Sequence, residues 1–357
     1  MKFERLYYRV ISPQRKFYHF PLYLILKVLS LFYFWGHCFR MWAYRWGLFP
    51  SHKLDCRVIS VGNLTLGGTG KTPVVMMIAE TLRGNGHKPG ILSRGYGGNS
   101  NSEVNVVCDG KDILLSPDVA GDEAVMMAQR LKNVPVLVGS DRYQIGRYAI
   151  EHFGVDTLIL DDGFQHLSLK RDMNILLFDH QRPFGNGQLF PAGELREPRK
   201  AARRADFVCI TRYSGASYPP GIGEQLIKDL PIVKSTLRLD SLLKLDDGEV
   251  LDVKELHDQP VAAFCGIANP DDFRRILEQT RARVVYYHPF PDHHEYTVAD
   301  LKSVEESARK MGAKLLLTTE KDAVKLKAES VGLPFYKVAL EMEILEGREV
   351  FNQNVLS

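Results

Sequence analysis

The stretch VGNLTLGGTGKTP, Val61 to Pro73, governs the reading of the whole chain. An apolar run, CRVISV at 56–61, leads into it, and a helical pattern from about Pro73 to Arg83 follows, ending before Gly84-Asn85-Gly86. That order of strand, glycine-rich turn and helix lets consecutive backbone N–H groups face an anion, while the helix adds its positive end. Gly67, Gly68 and Gly70, with Thr69 among them, supply the freedom such a turn needs. Lys71 would reach terminal phosphates, and the Thr72 hydroxyl would bind Mg²⁺. Pro73 is tolerated in a first helical turn, where no N–H is required. The regular pattern G-x-x-x-x-G-K-S/T asks for glycine where this chain has Thr65. Gly67 and Gly68 are expected to carry the tight turn instead.

Further apolar runs at 89–93, 104–107, 134–138, 157–160, 174–178 and 207–211 alternate with helical patterns such as Ala120 to Leu131 and Tyr143 to Phe153. Such alternation predicts an α/β fold: a P-loop NTPase-like core with a mostly parallel sheet. A polar stretch from Tyr213 to Gly223 interrupts the pattern, and a second set of strands begins at 261–265, 283–287, 314–317 and 334–339. The expected organisation is an N-terminal helical segment at 1–50, a nucleotide-binding core at 51–230, connecting strands at 231–254, a smaller second α/β lobe at 255–345 and a tail at 346–357.

Charge and aromatic content set the N-terminus apart. Residues 1–50 hold eight Lys/Arg against Glu4 alone, a net +7 in a chain whose total is +3, so the remainder carries −4. All three tryptophans, and 16 of the 36 aromatic residues, fall there as well. From Phe20 to Phe39 the only formal charge is Lys27, and a helix of that length reaches about 30 Å, roughly one bilayer core. A single crossing would leave Arg5, Arg9, Arg15 and Lys16 on the far side, against the positive-inside bias, so a position in the interface is expected. Trp35, Phe39, Trp42 and Trp46 recur at helical spacing, an aromatic stripe suited to the headgroups of an anionic membrane. Five scattered cysteines without a C-x-x-C pair exclude a disulfide framework and a cysteine metal site, and fit a reducing cytoplasmic compartment. Outside the N-terminus no basic and aromatic cluster points to nucleic acid. Nothing in the sequence calls for an obligate protein partner.

A metal-side acid should end an apolar strand, and VDTLILDDGFQH offers Asp161 and Asp162. AGDEAVMMAQ places Asp122 and Glu123 at a helix start. Phosphoryl transfer to an alcohol also needs a carboxylate or imidazole beside the attacking hydroxyl, and FPDHHEY, Phe290 to Tyr296, supplies an Asp-His-His cluster. Asp122 and a histidine would then approach the hydroxyl from different lobes. Arg94, Arg142 and Arg196 sit after apolar strands or in Gly/Pro-rich loops, positions suited to a phosphate clamp. TEKD, Thr319 to Asp322, matches a guanine-reading order only loosely, with Lys321 one place late, so ATP is expected.

VGNLTLGGTGKTP, SRGYGG, AGDEA, DDGFQH, PAGELREP, FPDHHEY and TTEKDAVKL occur in the order seen in the tetraacyldisaccharide 4'-kinases of lipid A biosynthesis, which the chain resembles from about residue 10 to 340. The resemblance implies a kinase at the cytoplasmic face of the bacterial inner membrane. It would move the γ-phosphate of ATP, with Mg²⁺, to the 4'-hydroxyl of a tetraacylated glucosamine disaccharide 1-phosphate, a lipid substrate. It also implies Lys71 and Thr72 on phosphate and Mg²⁺, Asp122 as base with His293 or the adjacent His294 as its partner, and Glu123, Asp161 and Asp162 as ligands of the metal or its water. Arg94, Tyr96, Arg142, Gln165, His166, Arg196 and Glu197 resemble the family's substrate- and phosphate-site residues. The competing expectation is a membrane-associated P-loop ATPase working as a switch or motor, which needs no alcohol-activating base.

Overall fold

The computed structural model of the chain describes residues 2–99, 102–215, 227, 230–326 and 332–357. Its strands, in chain order, are β1 (Arg57–Asn63), β2 (Pro89–Ser93), β3 (Asn105–Cys108), β4 (Val136–Val138), β5 (Thr157–Asp161), β6 (Met173–Asp179), β7 (Phe207–Thr211), β8 (Ile232–Lys244), β9 (Val250–Leu251), β10 (Pro260–Cys265), β11 (Arg283–Pro289), β12 (Leu315–Thr319) and β13 (Phe335–Glu346). The chain divides into two compact units, Met1–Leu92 with Ser140–Thr236 and Ile344–Ser357, and Ser93–Gly139 with Leu237–Glu343.

In the first unit β1 pairs in parallel with β5 on one side and β6 on the other. Beyond them lie β2 and β7, and the start of β8 joins β7, again in parallel. Residues 58–63 and 157–161 are buried throughout, the continuous apolar reading expected of parallel strands covered on both faces. The helix Arg142–Phe153 starts at Asp141, whose carboxylate accepts from the N–H groups of Tyr143 and Gln144. A Cβ on Gly146 would stand 2.5 Å from Leu54, so this helix approaches its neighbours closely only because the position is glycine. Leu64, Phe164, Leu176, Phe178 and Ile210 form the core beneath the glycine-rich turn. Truncating Phe164, fully buried, to alanine should cost about 3–5 kcal/mol.

The N-terminal helix Phe20–Arg45 lies along this unit. Ser30 Oγ donates to the Leu189 carbonyl at 2.9 Å, Tyr33 OH to the Arg196 carbonyl at 2.7 Å and Arg40 to the Gln165 carbonyl at 2.7 Å. With Lys27 on Gln188, these contacts run over about 20 Å of helix at 1.5 Å per residue. The opposite face leaves Leu24, Ile25, Leu31, Phe32, Trp35, Phe39, Trp42 and Trp46 exposed.

In the second unit β11, β10, β12 and β13 run parallel in that order, and β13 neighbours β8, whose end pairs antiparallel with β9. Apolar clusters around Phe273 and Leu277, and around Phe264 and Val304, fill the space between strands and helices. Residues 93–139 add an antiparallel β3–β4 pair and the helix Asp122–Arg130.

The two units divide the chain differently from the expected boundaries. Residues 93–139, expected in the 51–230 core, group with the second unit, and the N-terminal segment groups with the first. The tail at 346–357 is a helix, Arg348–Leu356, whose Phe351 packs on Phe207 and whose last carbonyls accept from Arg57. Apolar residues at helical spacing, Val350, Phe351 and Val355, were its signal. The expected helix from Ala120 to Leu131 breaks at Gly121, φ 86°, where a Cβ would meet the Tyr96 carbonyl at 2.5 Å. Of the polar stretch Tyr213 to Gly223, residues 216–223 lie outside the described residues.

Candidate active site

The turn after β1 answers the question raised by Thr65. Leu66 N donates to Glu194 O and Arg196 N to Leu64 O, both at 2.7 Å, so Thr65 sits in an antiparallel bridge with Leu195. Extended backbone of that kind suits a β-branched residue and has no use for glycine. The turn itself comes later, at Gly67 (φ 96°) and Gly70 (φ 78°), values that favour glycine. Gly70 caps the helix Lys71–Gly84 without any side-chain acceptor, so the first N–H groups of the helix point outward for a ligand. Space beside Gly67 and Gly68 is open, with no atom within 4 Å of a built Cβ. Thr69 Oγ1 is buried with no hydrogen-bond partner among the described residues. An open cradle, a helix start without a side-chain cap and an orphaned hydroxyl fit a bound phosphate chain.

Two residues not singled out from the sequence hold the turn. Thr211 Oγ1, at the end of β7, donates to the Thr69 carbonyl at 2.8 Å, and Arg212 donates to the Gly68 carbonyl at 2.9 Å while paired with Asp179. Fixing these carbonyls leaves the intervening N–H groups free to face an anion. Their signal was ITRY, a polar pair ending an apolar strand.

The acids after β5 separate in role. The register Val61 to Asp161 puts the buried Asp161 beside the strand that feeds the turn, and Thr72 is buried at the helix start. Among the described residues no three His, Cys, Asp or Glu side chains converge as a metal cage. Mg²⁺ uses one or two protein groups beside phosphate and water, a set that Thr72 and Asp161 would be able to supply. Asp162, at φ 54°, instead meets Arg196 at 2.7 Å and Lys71 at 3.6 Å. Burial raises the Asp162 pKa, but Lys71 and Arg196 outweigh it and hold the carboxyl below the ordinary 3.8. Lys71 also reaches Asn63 Oδ1 at 3.4 Å.

The remaining candidates of this unit are engaged as follows. Gln165 donates to the Asn63 carbonyl at 2.9 Å. His166 contacts Ser168 Oγ at 2.9 Å, and burial, then Arg142 and Arg171, push its pKa down to about 4. Arg142 is buried at the start of its helix. Glu197 is buried and paired with Arg204 at 2.8 Å.

In the second unit Asp122 opens the helix Asp122–Arg130 and is buried, and His293 Nδ1 lies 3.1 Å from its Oδ2. The two were expected from different lobes; both belong to this unit, because the segment carrying Asp122 groups with it. His294 turns away, stacking on Phe290 and meeting Asp300 Oδ2 at 3.3 Å. The exposed Tyr96 ring stands 5.5 Å from the His293 ring, and Arg94 is exposed on the same loop. Two lysines that sequence reasoning missed complete the cluster. Lys325 Nζ is 2.9 Å from Asp122 Oδ2, and Lys321 Nζ is 3.2 Å from His293 Nε2, 2.9 Å from Asp292 and 3.7 Å from Glu123. Their i, i+4 spacing in TEKDAVKL was the available signal. Burial raises the Asp122 pKa, but His293 and Lys325 together bring it below 3.8. Burial lowers that of Lys321, yet Glu123 and Asp292 raise it overall. Glu123 lies at the edge of this cluster, its side chain partly exposed.

A family model described as tetraacyldisaccharide-1-P 4'-kinase matches residues 22–357. The chain is 45% identical to the tetraacyldisaccharide 4'-kinase of Syntrophus aciditrophicus, over 91% of this chain and 90% of that protein. It is 43% identical to the protein of the same name from Geobacter sulfurreducens, over 86% and 85%. Among solved structures it resembles LpxK from Aquifex aeolicus in complex with ATP, with a TM-score of 0.77 and 32% identity, covering 94% of this chain and 98% of that one.

Proposed function

Since the chain belongs to the tetraacyldisaccharide-1-P 4'-kinase family, we propose from its geometry how the individual residues divide the work of that reaction. The enzyme transfers the γ-phosphate of ATP to the 4'-hydroxyl of a tetraacyldisaccharide 1-phosphate, giving lipid IV-A in lipid A biosynthesis. A free-running ATPase switch is not favoured.

In our reading the N–H groups of residues 67–72 and the Lys71 ammonium hold the phosphates. Thr72 and Asp161 hold Mg²⁺, which screens the phosphate charge when bound. Asp162 keeps Lys71 and Arg196 oriented toward the turn. Asp122 is the base: Oδ2 is occupied by His293 and Lys325, whereas Oδ1 has no partner among the described residues and can take the hydroxyl proton as the new O–P bond forms. The observation that carries this assignment is the 3.1 Å contact between Asp122 and His293, a carboxylate–imidazole pair suited to taking a proton from an attacking hydroxyl. Tyr96, Arg94 and Arg142 are proposed to contact the sugar or its phosphate. Incubating the detergent-solubilised enzyme with labelled ATP, Mg²⁺ and the disaccharide lipid tests the assignment: Asp122→Asn should slow the labelling of lipid by about a hundredfold or more while ATP still binds. Undiminished labelling would remove Asp122 from the role.

An N-terminal apolar helix and the family both indicate membrane association. We place that helix in the interface, at the cytoplasmic face of the inner membrane where ATP is available, rather than across the bilayer. Its polar contacts to the first unit run along its length, and a crossing would carry those partners into hydrocarbon. A four-chain lipid leaves a bilayer only at about 0.8 kcal/mol per exposed CH₂, so the enzyme comes to it, and an anionic surface would attract the basic flanks.

A further inference from the structure

Two lysines lie against the Asp122–His293 pair, and each constrains one partner in a different way. We propose that Lys325 and Lys321 are positioning residues for the base: Lys325 fixes which oxygen of Asp122 faces the substrate, and Lys321 fixes which nitrogen of His293 carries its proton. The inference rests on the assignment of Asp122 as base and extends it to the segment after β12.

A carboxylate oxygen accepts about two hydrogen bonds. Asp122 Oδ2 takes a hydrogen bond from His293 Nδ1 at 3.1 Å and an ion pair with the Lys325 ammonium at 2.9 Å, so it is engaged twice and Oδ1 is the oxygen left to the hydroxyl. The Lys325 Nζ is buried and lies 5.5 Å from the centroid of the Tyr296 ring. An ammonium has three donors and no acceptor, so Lys321 can face His293 Nε2 at 3.2 Å only if that nitrogen holds a lone pair. The proton therefore sits on Nδ1 and points at Asp122. Asp292, 3.8 Å from Nε2, is too distant to reverse this and instead anchors Lys321 at 2.9 Å. The imidazole is thus a fixed donor to the carboxylate, with no open nitrogen through which to relay the substrate proton.

The tests use full-length enzyme in detergent. Lys325→Met should lower kcat at least 30-fold while KM for ATP and lipid stays within threefold, and Lys325→Arg should restore most of the rate. In an Asp122→Asn background the same Lys325→Met change should cost less than twofold. Independent, multiplying losses would overturn the clamp while leaving the base in place, and an active Asp122→Asn enzyme would instead sink the base assignment. With ¹⁵N-labelled histidine, His293 in the unsubstituted enzyme should show protonated Nδ1 and bare Nε2, a measurement that needs no folded variant. Lys321→Met should release that preference. A protonated Nε2 in the unsubstituted enzyme would overturn the role of Lys321.

Discussion

Replacing Trp35, Trp42 and Trp46 together by glutamine should detach the enzyme from lipid without disabling its chemistry. The three indoles are 68%, 49% and 70% exposed on the helix face turned away from the first unit. A tryptophan presents up to about 250 Å², so the set offers roughly 450 Å² to a bilayer. At about 25 cal/mol per Å², full insertion would be worth about 11 kcal/mol, and insertion to a quarter of that area about 3 kcal/mol. Even the smaller figure corresponds to about a hundredfold in vesicle affinity. The remaining face, with Leu24, Ile25, Leu31 and Phe32, moderates the loss without replacing it. Because the positions are exposed, stability should change by no more than about 0.5 kcal/mol per site.

The assay is co-sedimentation with anionic vesicles, paired with lipid phosphorylation in vesicles and in detergent micelles. The triple variant should lose at least a hundredfold in vesicle affinity and transfer normally in micelles. Sedimentation within threefold of the unsubstituted enzyme would refute an interfacial helix, and so would equal losses in both assays. Deleting residues 1–50 is the poorer experiment, because it also strips Ser30, Tyr33 and Arg40 from backbone carbonyls they serve.

Asp122→Asn should lower kcat by about 10²–10⁴, the usual contribution of a general base, with the ATP Kd from calorimetry little changed; a loss under tenfold would contradict the assignment. Thr65→Gly, which restores the regular loop pattern, should not tighten ATP binding. By removing a bridged, buried side chain it should cost about 0.5–1 kcal/mol in denaturant unfolding, and tighter nucleotide binding would refute the bridge argument. His166, pushed down to about 4 in the folded state against 6.5 when unfolded, binds its proton first in the unfolded chain. Stability should therefore fall as pH drops from about 6.5 to about 4, and His166→Asn should flatten that part of the Tm profile. Asp162, held below 3.8, contributes stability above that value and loses it as pH falls further. The Tm gap between Asp162→Asn and the unsubstituted enzyme should thus be widest near neutrality and close in acid.

The first unit was largely legible because its chemistry is local. A buried strand, a glycine turn and a helix follow one another within residues 57–84, and apolar runs mark β2, β5, β6 and β7 to within two residues at either end. Short-range geometry hid little there, and the Thr65 exception has its cause in Leu195, a backbone partner that periodicity cannot reveal. Thr211 and Arg212 were overlooked for the same reason: their task is to hold carbonyls far away in the chain, and a polar pair at a strand end carries no mark of it.

Asp122 and its partners lie at the other extreme. Asp122 and His293 are 171 residues apart, and a reading by contiguous blocks assigns them to different bodies. The chain instead leaves the first unit after Leu92, builds β3, the helix Asp122–Arg130 and β4 within the second, and returns at Ser140. That excursion brings the acid into one packed unit with the imidazole, where the side chains of FPDHHEY and TEKDAVKL can fix it without any movement between units. His293 rather than His294 faces the acid because residue 293 takes a positive φ of 57°, turning consecutive side chains apart and leaving His294 to Phe290 and Asp300. Sequence supplied both histidines, and one backbone angle distinguishes them.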